Sequence, residues 1–577
     1  MFSKNTHQII RDKIPCFRNA GTVLIFLFFV TTGIAQTDQP GFFTKGVELF
    51  KQNHYYEAIQ YFEKFLETEI KITPRAQPFA VQKKSPGKSN LNMHNEAIYL
   101  LAESYRKLHN YSLAEKWYKE AMSFSPKAYP ACAYWYGVSL RANQKYDEAY
   151  EAINSFRERY HKMDDLLRGA DMELENLKFI KEQMKKEKNE FIVSRKEMAV
   201  NASAYASSVS ESGSLVYTTA FDDKTNEQYV NRIMESSGEN TGHQDKIILQ
   251  QDAPRFHQGM ASITHDGRKI FFTQWTVNKG ITSSAIYTSD KTDTGWCKPV
   301  LMPDPVNVTG SNSAQPFITP DGKYLLFSSD REGGVGKYDI WYATLDSQYN
   351  TLLVTNAGNV VNTTGDERSP SYHQVSRTLL FSSNGHIGMG GYDIFSAKGD
   401  FLLSDWEKPY NPGSPINSSR DDLYFISTDE DNLWNSGWLS SDRSTDCCLE
   451  LYLFKQNNAQ LLYGTVIDCA SNQPLAGVSL TVKDSKKNGR VLTSGKTDGE
   501  GTYQFTLRNS SRFEIVAEKE GYHASNKTYI IHFDAGTDTI QNNICLALIR
   551  QEEPEQKDAG TDESVTLAKF SFNQSSL

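Results

Sequence analysis

NSAQPFITPDGKYLLFSSDREGGVGKYDIWYATL, residues Asn312–Leu345, reads as two alternating apolar strands joined at Pro320-Asp321-Gly322. An Asp-Gly pair suits the tight turn of a hairpin. A glycine-rich connection, Gly333-Gly334-Val335-Gly336, leads into a third strand, Tyr338-Asp339-Ile340-Trp341-Tyr342. Glycine adopts φ > 0 without a Cβ penalty, so such a connection can reverse tightly. One sheet of this size has nothing to bury its faces against, which makes its recurrence decisive.

The anchor aromatic Phe327 is matched upstream by Phe272 (IFFTQW) and Tyr217 (LVYTTA), at steps of 55 residues. Downstream, Phe381 (LLFSSNG) lies 54 residues on and Leu439 (GWLSSDR) 58 beyond that. The third strand returns in step as Tyr392-Asp393-Ile394-Phe395, with a weaker echo at Leu449-Glu450-Leu451-Tyr452. Five copies of a unit long enough for four short strands predict a five-bladed β-propeller over 201–455, because each blade buries its faces only against its neighbours. The residues TPDGKYLLFSSDREGG and GGYDIF resemble the WD-repeat-like repeats of periplasmic TolB-type β-propellers.

Residues 42–190 carry helical periodicity. Small residues pair twelve apart three times, at Gly46 and Ala58, Ala102 and Ala114, and Gly137 and Ala149. Four residues after each second small position stand Phe62, Tyr118 and Ile153. The pattern resembles the tetratricopeptide repeat, in which small residues let paired helices approach and larger ones fill the gap. The middle copy matches best, at Ala102, Tyr105, Ala114, Tyr118, Ala121 and Pro126. Three repeats plus a charged helix at about 164–188 would make a minimal α-solenoid. Between the first two repeats, 71–92 holds Lys71, Arg75, Lys83, Lys84 and Lys88 and no acid between them. Such a run is a solvated loop or a contact for an acidic partner.

At 577 residues the chain is long enough for several domains. A mean hydropathy of −0.54 describes a water-soluble protein, and a net charge of −9 argues against a nucleic-acid partner. Lys4, Arg11, Lys13 and Arg18 precede a ten-residue apolar core, 21–30, and Gly33 and Ala35 fit a cleavage site. The first 35 residues are therefore expected to be a cleaved export signal, the alternative being an uncleaved anchor. Ten apolar residues are too few to span a bilayer, and no later segment does better. Cys16 precedes the apolar core, so a lipoprotein signal is not supported. The expected location is the periplasm, in association with the outer membrane or free of it.

Six cysteines follow the signal, without metal-ligand spacing: Cys132, Cys297, Cys447, Cys448, Cys469 and Cys545. An oxidising compartment allows disulfides, and Cys469 and Cys545 fall within one small domain. That domain opens at Leu462-Tyr463-Gly464-Thr465-Val466-Ile467-Asp468 and continues through Gln473–Val478, Thr497–Phe505 and Gly521-Tyr522. Strand, turn and alternating strand at this spacing read as a small β-sandwich. Residues 460–548 resemble the carboxypeptidase regulatory-like domain, a transthyretin-like module that in its family has no chemistry of its own. An acidic linker, 549–564, is too polar to pack. The tail 565–577 regains alternation and resembles the opening strand of an OmpA-like peptidoglycan-binding domain. Counterparts of that family's murein-contacting Asp and Arg do not follow it.

Motifs for catalysis are not found. The sequence lacks a G-x-S-x-G elbow, an H-E-x-x-H or paired Cys-x-x-Cys site, and a phosphate-binding glycine loop. No catalytic, cofactor-binding or metal-binding residue is assigned, and no cofactor is expected. Asp339 and Asp393 recur at equivalent positions and are expected to hold loops through backbone N–H groups. A calcium ion among Asp330, Asp339 and the 333–336 carbonyls would use oxygens of the right kind, but the ligand series is incomplete. Asp429-Glu430-Asp431 reads as a solvated acidic turn.

The order of modules resembles PorE-like proteins of the Bacteroidetes envelope. These are associated with the type IX secretion machinery and tethered to peptidoglycan. The missing lipobox and missing C-terminal domain put the tether in question. The resemblance implies a multidomain α + β scaffold without enzymatic activity, binding envelope or outer-membrane proteins through its helical repeats and propeller. The alternative is a propeller that senses a peptide or glycan in its central funnel.

Overall fold

A computed structural model describes residues 39–549 except for 72–87, 187–190, 199–202, 210–212, 224–227, 237–245, 248, 250–255, 279, 403, 445–447, 458, 486–488, 509–511 and 531–538. The expected export signal, nearly all of the acidic linker and the tail at 565–577 lie outside the described residues.

Helices come first: α1 (Gln39–Lys51), α2 (Tyr55–Lys71), α3 (Lys88–Lys107), α4 (Tyr111–Ala121), α5 (Cys132–Ala142), α6 (Tyr146–Arg159) and α7 (Asp165–Lys185). They pack as successive hairpins, α1 on α2, α3 on α4 and α5 on α6, with α7 closing the series. The paired small residues mark where the helices of each hairpin meet. A Cβ on Gly46 would lie 2.7 Å from the Phe62 ring, and one on Gly137 2.5 Å from Ile153. Ala102 and Ala114 are fully buried in the middle hairpin. The basic connection is shorter than the expected 71–92, because Lys88–Asn92 already belong to α3. Asp164 caps α7, its carboxylate accepting from Leu166 N and Leu167 N at 3.1 and 3.3 Å, so this helix begins where the charge pattern placed it.

Among the described residues, 191–456 form five antiparallel sheets: I (204–247), II (257–301), III (313–356), IV (367–406) and V (422–456). Sheets I to IV draw their four main strands from consecutive sequence, and II carries a further two-residue strand. Sheet V takes three strands from 422–456 and its fourth from Phe191–Arg195, which pairs with Glu450–Gln456. That strand lies ahead of the expected 201–455 range. It carries no repeat signature, because it supplies only one edge of a sheet completed 255 residues later (Arg195 against Glu450). Each sheet packs on the next, and V packs on I, so the series closes on itself.

Strand alternation sets what each sheet gives its neighbours. The anchors face the preceding sheet. Phe327 packs with Phe271, Ile286 and Met302 of II, Phe381 with Leu326 and Tyr342 of III, and Tyr217 with Leu451 of V. All five anchors are buried to within about a percent. The residue after each anchor is Ser or Thr and faces the following sheet. Thr218 Oγ1 accepts from Met260 N at 2.8 Å, Thr273 Oγ1 from Gln315 N at 2.8 Å, and Ser440 Oγ from Ala206 N at 3.0 Å. These N–H groups are freed by a β-bulge in the first strand of each sheet. At every bulge one residue is left-handed: Ala206, Met260, Gln315, Ser369 and Tyr424, with φ between 51° and 59°.

The sandwich follows at 459–548. Ala459–Asp468 pairs antiparallel with Thr502–Arg508 and parallel with Thr539–Gln541 and Ile544–Leu546. A second sheet of Arg490–Lys496, Ser479–Asp484, Arg512–Glu518 and Ser525–Ile530 covers it, burying Leu462, Val466, Val482 and Phe513. Cys469 and Cys545 form a disulfide that ties the first strand to the last. No described helix is long and apolar enough to cross a membrane.

Candidate site at the helix–sheet junction

The tight turns of the three helical hairpins each contain a left-handed residue, Asn53, His109 and Gln144. All three turns come down on the sheets. Asn53 Nδ2 donates to Gly280 O of sheet II at 3.2 Å. Ala142 O, beside the third turn, accepts from Ser419 Oγ between sheets IV and V at 3.2 Å. His109 reaches Asp442 of sheet V at 3.1 Å. Further along, Asn176 Oδ1 of α7 accepts from Gly388 N at 2.9 Å. Met389 packs into the helical core beside Val138, Leu140 and Ile180. The helical array therefore stands on one side of the sheet series by its turns.

Arg141 anchors this junction. Its side chain is 5% exposed, and its Nε pairs with Glu173 of α7, itself buried. Nη1 donates to Ser419 O at 2.6 Å and to Met389 O at 3.4 Å. Burial disfavours the charge, but the Glu173 carboxylate together with Tyr111 and Asp393 outweighs it and holds the Arg141 pKa above the ordinary value. A guanidinium spreads its five N–H groups over several acceptors at fixed angles, which suits it to bridging two domains.

His109 enters between two carboxylates. Its Nδ1 lies 3.1 Å from Asp442 Oδ2 and 3.4 Å from Asp421 Oδ2. The opposite oxygens are held by backbone, Asp421 Oδ1 by Tyr392 N at 3.0 Å and Asp442 Oδ1 by Asp421 N at 2.9 Å. Arg420 donates to His109 O at 3.1 Å and lies over the Tyr111 ring. Burial works against a charged imidazole here, yet the hydrogen bond it donates to Asp442 and the charges of both aspartates raise the His109 pKa. Burial also pushes Asp421 up to about 6 against the pull of His109. Beside this cluster opens a polar cleft of about 330 Å³, lined by Glu115, Asn143, Lys145, Arg420 and Arg443 among others.

Among the described residues, the bulges of the five sheets leave little space between them. Ala206, Met260, Gln315, Ser369 and Tyr424 surround a cavity of only about 30 Å³. Gln315 bridges across it, accepting from Ser369 N at 2.9 Å and donating to Tyr424 Oη at 2.8 Å. Its described lining includes no Asp or Glu.

The carboxylates singled out in the sequence serve loops. Asp339 accepts from Val335 N at 2.6 Å, Gly336 N at 2.9 Å and Asn356 Nδ2 at 2.9 Å. Asp393 accepts from Met389 N, from Gly390 N at 2.9 Å and from Asn411 Nδ2 at 3.0 Å. Burial pushes Asp393 up to about 7, helped by the Asp422 charge, while these donors pull the other way. Gly334 is required beside Asp339, since a Cβ there would sit 2.5 Å from Oδ2. Asp330 accepts from Asn312 N and Nδ2 at 2.6 and 2.8 Å. It is turned to Asn312 while Asp339 is turned to its loop, so the two are not gathered around one cation. Asp429 caps its own turn through Asp431 N and Asn432 N at 3.0 and 2.9 Å.

The sequence reading missed a third repeated device. Asn307, Asn362 and Asn417, at steps of 55, pair side chain to backbone with Ile286, Ile340 and Ile394. Their period was available in the sequence. The His109–Asp421–Asp442 cluster was not, because His109 lies more than 300 residues from the two aspartates and in a different module.

Residues 462–544 match the model of the carboxypeptidase regulatory-like domain. Among solved structures, TolB from Acinetobacter baumannii is 17% identical, covering 45% of this chain and 56% of that one, with a TM-score of 0.27. The catalytic domain of a Coprinopsis cinerea GH62 α-L-arabinofuranosidase is 12% identical over 46% of this chain and 98% of that one, at 0.31. Klebsiella pneumoniae 5-hydroxyisourate hydrolase is 16% identical over 16% of this chain and 92% of that one, at 0.13. Scores of this size leave the functional reading to the chain's own geometry. No curated protein matches the sequence.

Proposed function

We infer that this chain is a non-enzymatic scaffold of the cell envelope, exported to the periplasm, that binds envelope proteins through its helical repeats and sheet series. In this reading the sheets are the five blades of a propeller and the hairpins are tetratricopeptide repeats. The setting is that of the PorE-like proteins it resembles, alongside the type IX secretion machinery. One observation carries the reading. The helical array is fixed to the sheets by the tips of its turns, which leaves its flanks and far end for partners. Leu91, near the far end of α3, is more than half exposed, as is Tyr56 on α2 just past the first docked turn. The ends of α2 and α3 that flank the basic connection also point away from the docked turns.

The centre of the propeller argues against the two competing roles. A cavity of about 30 Å³ has room for about one water, whereas small-molecule sites run to about 300–1,000 Å³. Glycoside hydrolysis needs a pair of carboxylates flanking the bond, and the described lining offers none.

Tagged full-length protein should retain envelope proteins from a detergent extract. A chain lacking 39–185 should lose them while still unfolding cooperatively. Equal retention by the two chains, or none by the full chain, would contradict the reading.

A further inference from the structure

We propose that His109, Asp421 and Asp442 form a site for one divalent transition-metal ion, which locks the helical array to the sheets. The inference is independent of the partner-binding role above. His109 Nδ1 faces Oδ2 of both Asp442 and Asp421, and one ligand atom from each of the three residues lies within 4.8 Å of the other two. Bond lengths of about 2.0–2.2 Å at tetrahedral angles separate neighbouring ligand atoms by about 3.3 Å. The observed separations of 3.1 and 3.4 Å from Nδ1 already match that edge.

The carboxylates are oriented as ligands need to be. Each spends one oxygen on a backbone N–H, from Tyr392 and from Asp421, and turns the other toward the imidazole. Outer partners of this kind fix the direction of a metal-binding group. Two carboxylates, Asp442 buried and Asp421 partly buried, share the single N–H that His109 Nδ1 can present, so it cannot serve both fully. A dication in place of that proton would serve both, and would balance their charges with a neutral imidazole.

The neighbouring guanidinium groups have hydrogen bonds to other acceptors. Arg420 donates to His109 O and lies over Tyr111, and Arg443 pairs with Asp422 while donating to Pro415 O at 2.7 Å and Ile416 O at 2.6 Å. Entry is open, since the His109 side chain is 39% exposed and the polar cleft lies alongside. Water from the cleft would complete the coordination. One imidazole nitrogen and two carboxylate oxygens suit zinc or manganese better than calcium, which prefers an all-oxygen shell of six to eight.

The test uses full-length protein stripped with chelator, dialysed against micromolar Zn²⁺ and assayed by elemental mass spectrometry. One equivalent of zinc is expected, with a rise in the thermal midpoint. Asp442→Asn and His109→Gln are each expected to lose that equivalent and the rise. His109→Gln keeps a donor for Asp442 while removing the nitrogen ligand, so its metal-free melt reports whether the junction has survived. Failure to retain zinc, or equal retention by the wild type and a folded His109→Gln variant, would overturn the proposal.

Discussion

Thr273 accepts a hydrogen bond through Oγ1 from the backbone N–H of Gln315, 2.8 Å away, and so joins sheet II to the bulge of sheet III. The same bond runs from Met260 N to Thr218 and from Ala206 N to Ser440. Ser328 and Ser382 stand in the corresponding places, but their hydroxyls are buried without a hydrogen-bond partner among the described residues. At the first of these, Gln315 Oε1 has taken the bulge N–H of Ser369 instead.

This difference predicts unequal costs for similar substitutions. Thr273→Val strands a buried N–H and should destabilise by about 1–3 kcal/mol, the penalty for an unsatisfied group. Ser328→Ala removes a hydroxyl that has no partner and should be close to neutral. Denaturant unfolding of both variants checks the contrast. Equal losses would mean the inter-sheet bond contributes nothing.

Phe327 is fully buried against sheet II, so Phe327→Ala should cost about 3–5 kcal/mol in the same measurement. Leu353, in the outer strand of sheet III, is 60% exposed, and Leu353→Ala should stay within about 0.5 kcal/mol. A loss under about 1 kcal/mol at Phe327 would undo the packing register.

The junction anchor behaves differently when half is removed. Arg141→Met leaves Glu173 buried without its counter-ion and should cost about 3–5 kcal/mol. Arg141→Met with Glu173→Leu removes both charges and should recover much of that. If the double variant is the less stable of the two, the pair is not acting as a buried ion pair.

The sheet region was legible because its anchors are buried apolar residues at a nearly constant step. Phe272, Phe327 and Phe381 keep that step because every sheet meets its predecessor in the same way. The Cys469–Cys545 disulfide was legible as two cysteines within one module. The left-handed bulge positions were not, since Ala206, Met260, Gln315, Ser369 and Tyr424 share no residue type and none is glycine. At four of them, Ala206, Met260, Gln315 and Ser369, the backbone N–H is held by a side chain of the neighbouring sheet, whatever the bulge residue itself is. The strand Phe191–Arg195 and the His109 cluster were hidden for a related reason: both depend on contacts between distant segments, which leave no local pattern.

Acid should weaken the sandwich. Asp468 accepts from Ser471 N at 2.8 Å and Ala470 N at 2.9 Å, and Asp498 accepts from the Thr502 hydroxyl at 2.6 Å and Thr502 N at 2.7 Å. These bonds favour the ionised carboxylates and lower both pKa values. A depressed pKa contributes stability that is present above the unfolded value, about 4, and is lost as the pH falls through the folded value. Thermal melts between about pH 3 and 6 should show this loss, and Asp468→Asn with Asp498→Asn should flatten it. An unchanged slope in the double variant would remove these turns as the cause.

Site-specific photo-crosslinking separates a scaffold from an axial sensor most directly. A photoreactive residue placed at Tyr56, which is 66% exposed on α2, is compared with one at Tyr424, among the bulges of the five sheets. In an envelope extract, the scaffold reading predicts protein adducts from position 56 and none from position 424. Adducts of a peptide or glycan from position 424, with none from position 56, would contradict it.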